Sequence, residues 1–129
     1  MSAYTIKNLM EVEDSAGPSS PELEARFARG HLDSEHLGVS YFRYAPGFRS
    51  PSGHSHREQE EAYVVIGGSG RVRLDEEILE LRRWDVVRVA ADVVRGFEGG
   101  AEGLEIIAIG ADRPEGGDGV PAQNWWTDY

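Results

Sequence analysis

The sequence predicts an all-β fold, a small antiparallel barrel or sandwich, with one short helix near the N-terminus. From Gly38 onward, β-branched and aromatic runs alternate with turn residues at short intervals, which is typical of consecutive antiparallel strands. The length of 129 residues suits a single domain core. An apolar fraction of 40% is high enough to build a packed interior.

Each strand is recognised by its pattern of apolar and polar residues. The segment 71–74 alternates arginine with apolar residues, as expected of a half-buried strand. We expect turns at the glycine-rich segment 67–70 and at the charged segment 75–77. The strands are predicted over residues 4–9, 39–44, 61–66, 71–74, 78–81, 86–90 and 104–109.

The helix is predicted after a Gly- and Pro-rich loop. The segment 19–22 offers two alternative N-caps, either a capping box or a serine followed by proline at the first helical position. Leu23 and Phe27 would lie one turn apart on one face, and Gly30 is expected to end the helix. We expect this helix to lie outside the barrel.

Charge and composition exclude several classes of function. The chain has 23 acidic and 13 basic residues and a formal charge of −10, which argues against binding to nucleic acid or to an anionic membrane. No apolar run approaches ~20 residues, and the acidic N-terminus does not resemble a signal peptide, so a cytoplasmic location is expected. Cysteine is absent from the sequence, so a metal site would have to use histidine and carboxylate ligands.

One cluster carries chemical information. His54 and His56 are two residues apart, so a strand places both side chains on the same face. Glu61 begins the next apolar strand, and Tyr63 shares its face. Two imidazoles and a carboxylate that converge inside a barrel form a ligand set for one divalent ion of Fe, Mn, Ni, Zn or Cu. Three ligands leave open positions for a substrate with oxygen or water.

The stretch from 38 to 110 resembles the cupin superfamily, in particular its small single-domain members. His54, His56, Glu61 and Gly68 fit the spacing of the first cupin signature, which is H-x-H, four residues, Glu, six residues, Gly. The resemblance implies an antiparallel cupin (jelly-roll) β-barrel that is commonly a homodimer. It also implies that the two histidines and the glutamate are metal ligands.

The segment that follows aligns with the second cupin signature without gaps, but different residues occupy the signature positions. Trp84, Ala90, Asp92, Arg95 and Gly99 stand where that signature has Gly, Pro, Gly, His and Asn. Asp92 can adopt the left-handed conformation that glycine would supply, so we expect the turn to form there. Arg95 cannot replace the fourth ligand, because a guanidinium has no lone pair to donate.

Arg95 leaves two hypotheses open. A guanidinium ~4 Å from a divalent ion would repel it by roughly 8 kcal/mol at an effective dielectric constant near 20. In one hypothesis Arg95 turns toward solvent or Glu60, and the three remaining ligands bind a metal. In the other it takes the place of the metal, pairs with Glu61, and the site holds no ion.

These alternatives lead to two functions for a small-molecule pocket. The first is a metal-dependent enzyme in which Arg95 orients an anionic substrate; an oxygenase, isomerase or decarboxylase would suit such a site. The second is a metal-free binding module for a small anionic or sugar-like ligand, without catalysis. The candidate residues for lining the pocket and binding the ligand are Arg95, Tyr41, Tyr63 and Phe97.

We expect the 129 residues to form a single domain with three segments. Residues 1–37 are an N-terminal arm with the helix, residues 38–112 the barrel core, and residues 113–129 a C-terminal tail. Trp125 and Trp126 lie in this otherwise polar tail and are expected to bury against the barrel or a partner subunit. A role in assembly is therefore a third hypothesis.

Overall fold

The computed structural model describes residues 3–128. Within this range the chain is mainly β-structure, with one short α-helix and one 3₁₀ turn. The elements in chain order are the 3₁₀ turn Leu9–Glu11, β1 Leu23–Phe27, α1 Arg29–Leu32, β2 Gly38–Tyr44, β3 Gly53–His56, β4 Glu61–Leu74, β5 Glu77–Arg82, β6 Val86–Val89, β7 Arg95–Gly110 and β8 Gly119–Ala122.

The described strands form one antiparallel sheet that curls around the long strands β4 and β7. One path through the sheet runs β1-β2-β7-β3-β8, and β4 pairs with β5, β6 and β7. Strand β7 therefore contacts both β2 and β4 along its C-terminal half. The prediction of an all-β antiparallel fold is confirmed, and strands β1 and β8 extend the sheet into the predicted arm and tail.

The helix predicted around Leu23 and Phe27 is wrong, because these residues form β1. They pair with β2, where Leu23 lies opposite Tyr44 and Phe27 opposite Ser40. Residues four apart share a face in a strand as well as in a helix, so this pair alone could not distinguish the two. The helix α1 begins at Arg29, near the point where the predicted helix was expected to end.

The strand predicted over residues 4–9 is also wrong. The chain from residue 4 to residue 8 has no strand pairing, and the 3₁₀ turn begins at Leu9. Tyr4 and Ile6 are largely exposed, so this segment lacks the buried face that would hold it in a sheet.

The glycine-rich segment 67–70 was predicted as a turn, and that prediction is wrong. Strand β4 continues through it, with register shifts against β7 on either side of Gly68. Gly68 has a φ of +66°, and a Cβ there would collide with the carbonyl of Gly103 on β7. The glycines therefore form a bulge that brings the two backbones together. The predicted turn at 75–77 is confirmed at Asp75 and Glu76.

The core lies between the long strands and the strands that pack on them. Its side chains come from alternate positions of β2, β4 and β7, with contributions from β5 and β6. Tyr44, Tyr63, Phe97 and Ala108 belong to this core and also line a cavity, so the cavity wall is continuous with packed structure. The fully buried aliphatic members are Val65, Val72, Val89, Leu104 and Ile106.

The C-terminal segment is fastened to the same sheet. Strand β8 pairs with β3, and Trp126 is only 5% exposed, so it buries against its own chain. Its indole N–H donates to the carbonyl of Ser50 at 3.0 Å, and the guanidinium of Arg49 lies 4.8 Å from the centre of its ring. In the part of the chain that the structure describes, no helix is both long and apolar enough to cross a membrane.

Candidate metal centre

Strands β3 and β4 bring the three predicted ligands together. The ligand atoms of His54, His56 and Glu61 all lie within 4.8 Å of one another. Glu61 Oε1 is 3.0 Å from His56 Nε2 and 3.9 Å from His54 Nε2. Two ligands on one ion, each bound at about 2.1 Å, are separated by about 3–4 Å, so these distances suit a shared metal.

His56 is the most informative of the three residues. Its Nε2 atom is buried and has no hydrogen-bond partner among residues 3–128, although Glu61 Oε1 is 3.0 Å away. The two atoms approach closely without the alignment that a hydrogen bond requires. Convergence without a hydrogen bond is the arrangement expected of two ligands that point at a common ion.

The other nitrogen of this imidazole is fixed by Asp118. Nδ1 of His56 lies 2.8 Å from Asp118 Oδ1, and the backbone N–H groups of Glu58 and Gln59 donate to Asp118 Oδ2 at 2.8 Å. Burial opposes the ionisation of Asp118, but these hydrogen bonds outweigh it and lower its pKa to about 2. An ionised carboxylate only accepts, so the Nδ1–H of His56 donates to Asp118, and Nε2 is the nitrogen left to bind a metal.

The carboxylate of Glu61 is also held in its ionised form. The hydroxyl of Tyr63 donates to Glu61 Oε1 at 2.5 Å, and burial raises the pKa of Tyr63 well above its usual value. Burial opposes the ionisation of Glu61. The two imidazoles, the Tyr63 hydroxyl and the guanidinium of Arg95 outweigh that effect, and the pKa of Glu61 falls to about 2.

Arg95 lies beside the cluster, fully buried, and turns neither to solvent nor to Glu60. Its Nη2 is 4.0 Å from Glu61 Oε1, and its guanidinium makes long contacts of 3.4 and 3.3 Å to the carbonyls of His54 and Ala90. Glu60 is instead paired with Arg88 at 2.8 Å. The guanidinium therefore lies at the outer limit of ion-pair distance from Glu61. It neither turns away from the site nor forms a close pair with Glu61.

A cavity of about 500 Å³ opens over the three ligands, a volume suited to a small organic molecule. Tyr63 and Phe97 line it, as expected from the sequence. Arg95 has no exposed surface and is not part of the lining that the described residues form. The cavity wall is largely aromatic, with side chains from Phe27, Phe42, Tyr44, Tyr63 and Phe97.

Tyr41 lies on the other side of the sheet from the cavity. Ser40, Phe42 and Tyr44 line the cavity from alternate positions of β2, so Tyr41 points to the opposite face. Its hydroxyl donates to Glu105 at 2.6 Å. The structure thus brings His54, His56, Glu61, Tyr63 and Phe97 to one cavity and leaves Tyr41 outside it.

Comparison with protein-family models gives no match, and comparison with curated proteins gives none. Solved structures match over most of the chain. A cupin protein from Bacteroides fragilis is 22% identical, with a TM-score of 0.72 and 89% of each chain covered. A polyketide cyclase from Streptomyces resistomycificus is 16% identical, with a TM-score of 0.72 over 96% of this chain and 87% of that chain. The chain has the cupin fold.

A third cupin-fold match is a variant of oxalate decarboxylase from B. subtilis. It is 21% identical, with a TM-score of 0.73 over 92% of this chain and 33% of that chain. All three likenesses are below 25% identity, so they establish the fold of this chain, while its chemistry has to be argued from its own residues.

The altered second cupin signature has a structural consequence. Trp84 has a φ of +77°, so the position where the signature has its first glycine retains the left-handed conformation without glycine. The expectation of a left-handed Asp92 is wrong, since Asp92 is not among the positive-φ residues of the described chain. The strain therefore falls on the exposed Trp84, whose ring lies 4.9 Å from the guanidinium of Arg83.

The residues at this site fit a metal ion. Two imidazoles and a carboxylate form a suitable donor set, and the buried Nε2 of His56 lacks a hydrogen-bond partner in the described chain. Sequence reasoning missed Asp118, which is 62 positions from His56. Nothing in the local sequence distinguishes Asp118 from the other acidic residues of the tail, and pairing of β8 with β3 brings it to the site.

Proposed function

We propose that this cupin binds one divalent transition-metal ion through His54, His56 and Glu61, and uses it with the adjoining cavity to bind a small organic molecule. The observation that carries this proposal is the state of His56. Its Nδ1 is fixed by Asp118, while its buried Nε2 has no hydrogen-bond partner among the described residues. A histidine ligand held by a carboxylate at its far nitrogen is the usual arrangement at protein metal sites.

The charge of the cluster supports a cation. Glu61 and Asp118 each carry one negative charge, since their pKa values are lowered to about 2, and Arg95 carries one positive charge. When both imidazoles are neutral, as metal ligands must be, two negative charges and one positive charge leave one net negative charge in a buried place. A divalent ion would compensate that charge and satisfy the lone pair of His56.

The chain's own residues define what a bound ion could do. Such an ion would supply a Lewis acid to an oxygen or nitrogen of the ligand. Tyr63 holds the carboxylate of Glu61 in place through its hydroxyl, and the aromatic wall keeps water away from one side of the site. The pocket is therefore suited to a ligand that is mostly apolar and carries few polar groups.

A second candidate function is a metal-free binding module for a small anionic or sugar-like ligand. One observation favours it, because Arg95 already places a positive charge 4.0 Å from Glu61. In this alternative the guanidinium partly neutralises the carboxylate, and the cavity binds its ligand without an ion. The two candidates differ in one measurable property, the uptake of metal.

The test is metal binding by the purified protein and by matched variants. We expect about one equivalent of Mn²⁺, Fe²⁺, Ni²⁺ or Zn²⁺ per chain by elemental analysis and calorimetry. His56→Ala and Glu61→Gln remove a ligand each and should weaken binding at least about 100-fold. His36→Ala is the control, because that histidine is exposed and paired with Asp112.

Two outcomes would contradict the metal proposal. Metal content that is the same in His56→Ala as in the unaltered protein would show that the ion binds elsewhere. A protein that takes up none of the four metals would favour the metal-free module. Thermal melting of each variant without metal establishes that the altered chains are folded.

A further inference from the structure

Two arginines on the cavity lie apart from the three ligands. Arg29, the first residue of α1, and Arg113, which follows β7, both line the cavity together with the aromatic wall. We propose that the cavity binds a small organic acid with an aromatic body, and that Arg29 and Arg113 bind its carboxylate. The inference rests on the proposed function in taking the same cavity as the ligand site, but it does not require the metal.

Arg29 is held in place by the backbone around it. Its Nη2 donates to the carbonyl of Ala111 at 2.8 Å. A Cβ at Gly38 would lie 2.6 Å from this Nη2, and one at Gly110 would lie 3.6 Å from it. The guanidinium therefore occupies the space left by these glycines, and its other N–H groups remain available for a ligand.

Neither arginine has an acidic partner. No ion pair joins Arg29 or Arg113 to a carboxylate within residues 3–128, although the sequence has 23 acidic and 13 basic residues. The one acidic side chain on the cavity lining, within the described chain, is Glu61, which the Tyr63 hydroxyl and His56 already contact. The arginines therefore leave positive charge on the cavity that an anionic ligand can meet.

The rest of the cavity selects for an apolar body. Phe27 and Phe42 meet edge to face at 5.5 Å with an interplanar angle of 79°, and Tyr44 and Phe97 continue the wall at 5.9 Å between ring centres. Aromatic rings placed in this way pack well against a flat apolar group. A planar aromatic carboxylate matches both the wall and the charge, and a volume of about 500 Å³ accommodates it.

These two residues take the role that the sequence indicated for Arg95. Arg95 has an exposed fraction of 0%, so a ligand in the cavity cannot contact its guanidinium directly. Arg113 is exposed and Arg29 half-buried, and both line the cavity, so a ligand there can contact either guanidinium. A fork-shaped guanidinium is suited to bidentate recognition of a carboxylate.

The test compares an acid with its neutral amide. We expect 2-naphthoate to bind the full-length protein at least about 10-fold tighter than 2-naphthamide, measured by calorimetry with and without EDTA. Arg113→Gln, alone and with Arg29→Gln, should reduce this preference about 10-fold. Arg82→Gln should leave it unchanged, because Arg82 is exposed on β5 and does not line the cavity.

Each outcome decides between the two proposals. Equal affinity for acid and amide, no binding of naphthoate, or a preference that survives both arginine substitutions would overturn the inference. A preference that needs metal, vanishes in His56→Ala and survives in Arg113→Gln would overturn it while supporting the metal proposal. A preference that persists in His56→Ala, in a protein that binds no metal, would uphold it while the metal proposal fails. If Arg29→Gln does not fold, the exposed Arg113→Gln alone decides.

Discussion

At the scale of single residues, His56 is held at Nδ1 and left without a hydrogen bond at Nε2 in the described chain. Asp118 fixes the proton on Nδ1, and the buried Nε2 meets Glu61 at a distance that suits a shared ion. Asp118 in turn is held by two backbone N–H groups, so the carboxylate has little freedom to rotate away. Metal binding should therefore depend on Asp118 even though it does not contact the ion.

We predict that Asp118→Asn lowers metal affinity about 10- to 100-fold. If the amide oxygen of the new side chain still accepts the hydrogen bonds from the backbone N–H groups of Glu58 and Gln59, its amide nitrogen faces His56 Nδ1 and donates to it. The ring then holds its proton at Nε2 and loses the lone pair that binds metal. The measurement is competition calorimetry with a chelator. Asp112→Asn is the control, since Asp112 pairs with the exposed His36, and equal affinities in both variants would contradict the prediction.

The ligands could be predicted from the sequence because their signal is local. His54, His56 and Glu61 lie within eight consecutive residues, and strand alternation alone places the two histidines on one face. Asp118 and Arg29 carry no such signal. Asp118 reaches the site through the β3–β8 pairing, and Arg29 reaches the cavity through the glycines of β2 and β7. Contacts of that kind depend on the assembled sheet.

At the scale of elements, strands with a clear strand composition were predicted correctly. Segments whose pattern fits two kinds of structure were not. Strand β2 was found because it is rich in β-branched and aromatic residues. Strand β1 was missed because a spacing of four residues is common to helix and strand. The segment 67–70 was taken for a turn because glycine marks turns and bulges alike. Only the approach of β7 distinguishes the two at Gly68.

Trp126 is the most deeply buried side chain of the segment that follows β8, so it should contribute to holding that segment on the sheet. Trp126→Ala should lower the free energy of unfolding by about 3–5 kcal/mol, because the indole is 5% exposed and donates to Ser50. Trp84→Ala is the matched control; that ring is 64% exposed, so a loss below about 1 kcal/mol is expected. Urea unfolding measures both. Equal losses would mean that Trp126 does not anchor the tail.

At the scale of the whole molecule, the dominant property is negative charge. The formal charge is −10 and the isoelectric point is about 4.8, so mild acid reduces repulsion within the chain. Several carboxyl groups oppose this gain, because their pKa values are lowered in the folded state. The hydrogen bond from the backbone N–H of Ala25 is the largest cause of the lowered pKa of Asp14, and the hydrogen bond from the Arg26 side chain is the largest cause at Glu24.

The homodimer implied by the cupin resemblance stays a prediction.

The pKa of Glu98 indicates how acid should act on the folded chain. Burial opposes the ionisation of Glu98, but Arg71 and Arg49 outweigh it and hold its pKa below the usual 4.5. The unfolded chain therefore binds this proton at higher pH than the folded chain does. The stability from Glu98 is complete above about pH 4.5 and is lost as the pH falls through its lowered value.

We therefore predict that Glu98→Gln lowers the melting temperature at neutral pH, and that this effect shrinks as the pH falls through the lowered pKa of Glu98. At neutral pH the variant lacks the charge that pairs with Arg49 and Arg71. Below that pKa the unaltered Glu98 is itself neutral, so the melting temperatures of the two proteins converge. The change in overall charge repulsion affects both proteins alike. Melting curves across this range measure the difference, with Glu102→Gln as an exposed control. A gap that stays constant with pH would show that Glu98 stabilises the fold through its shape and not through its charge.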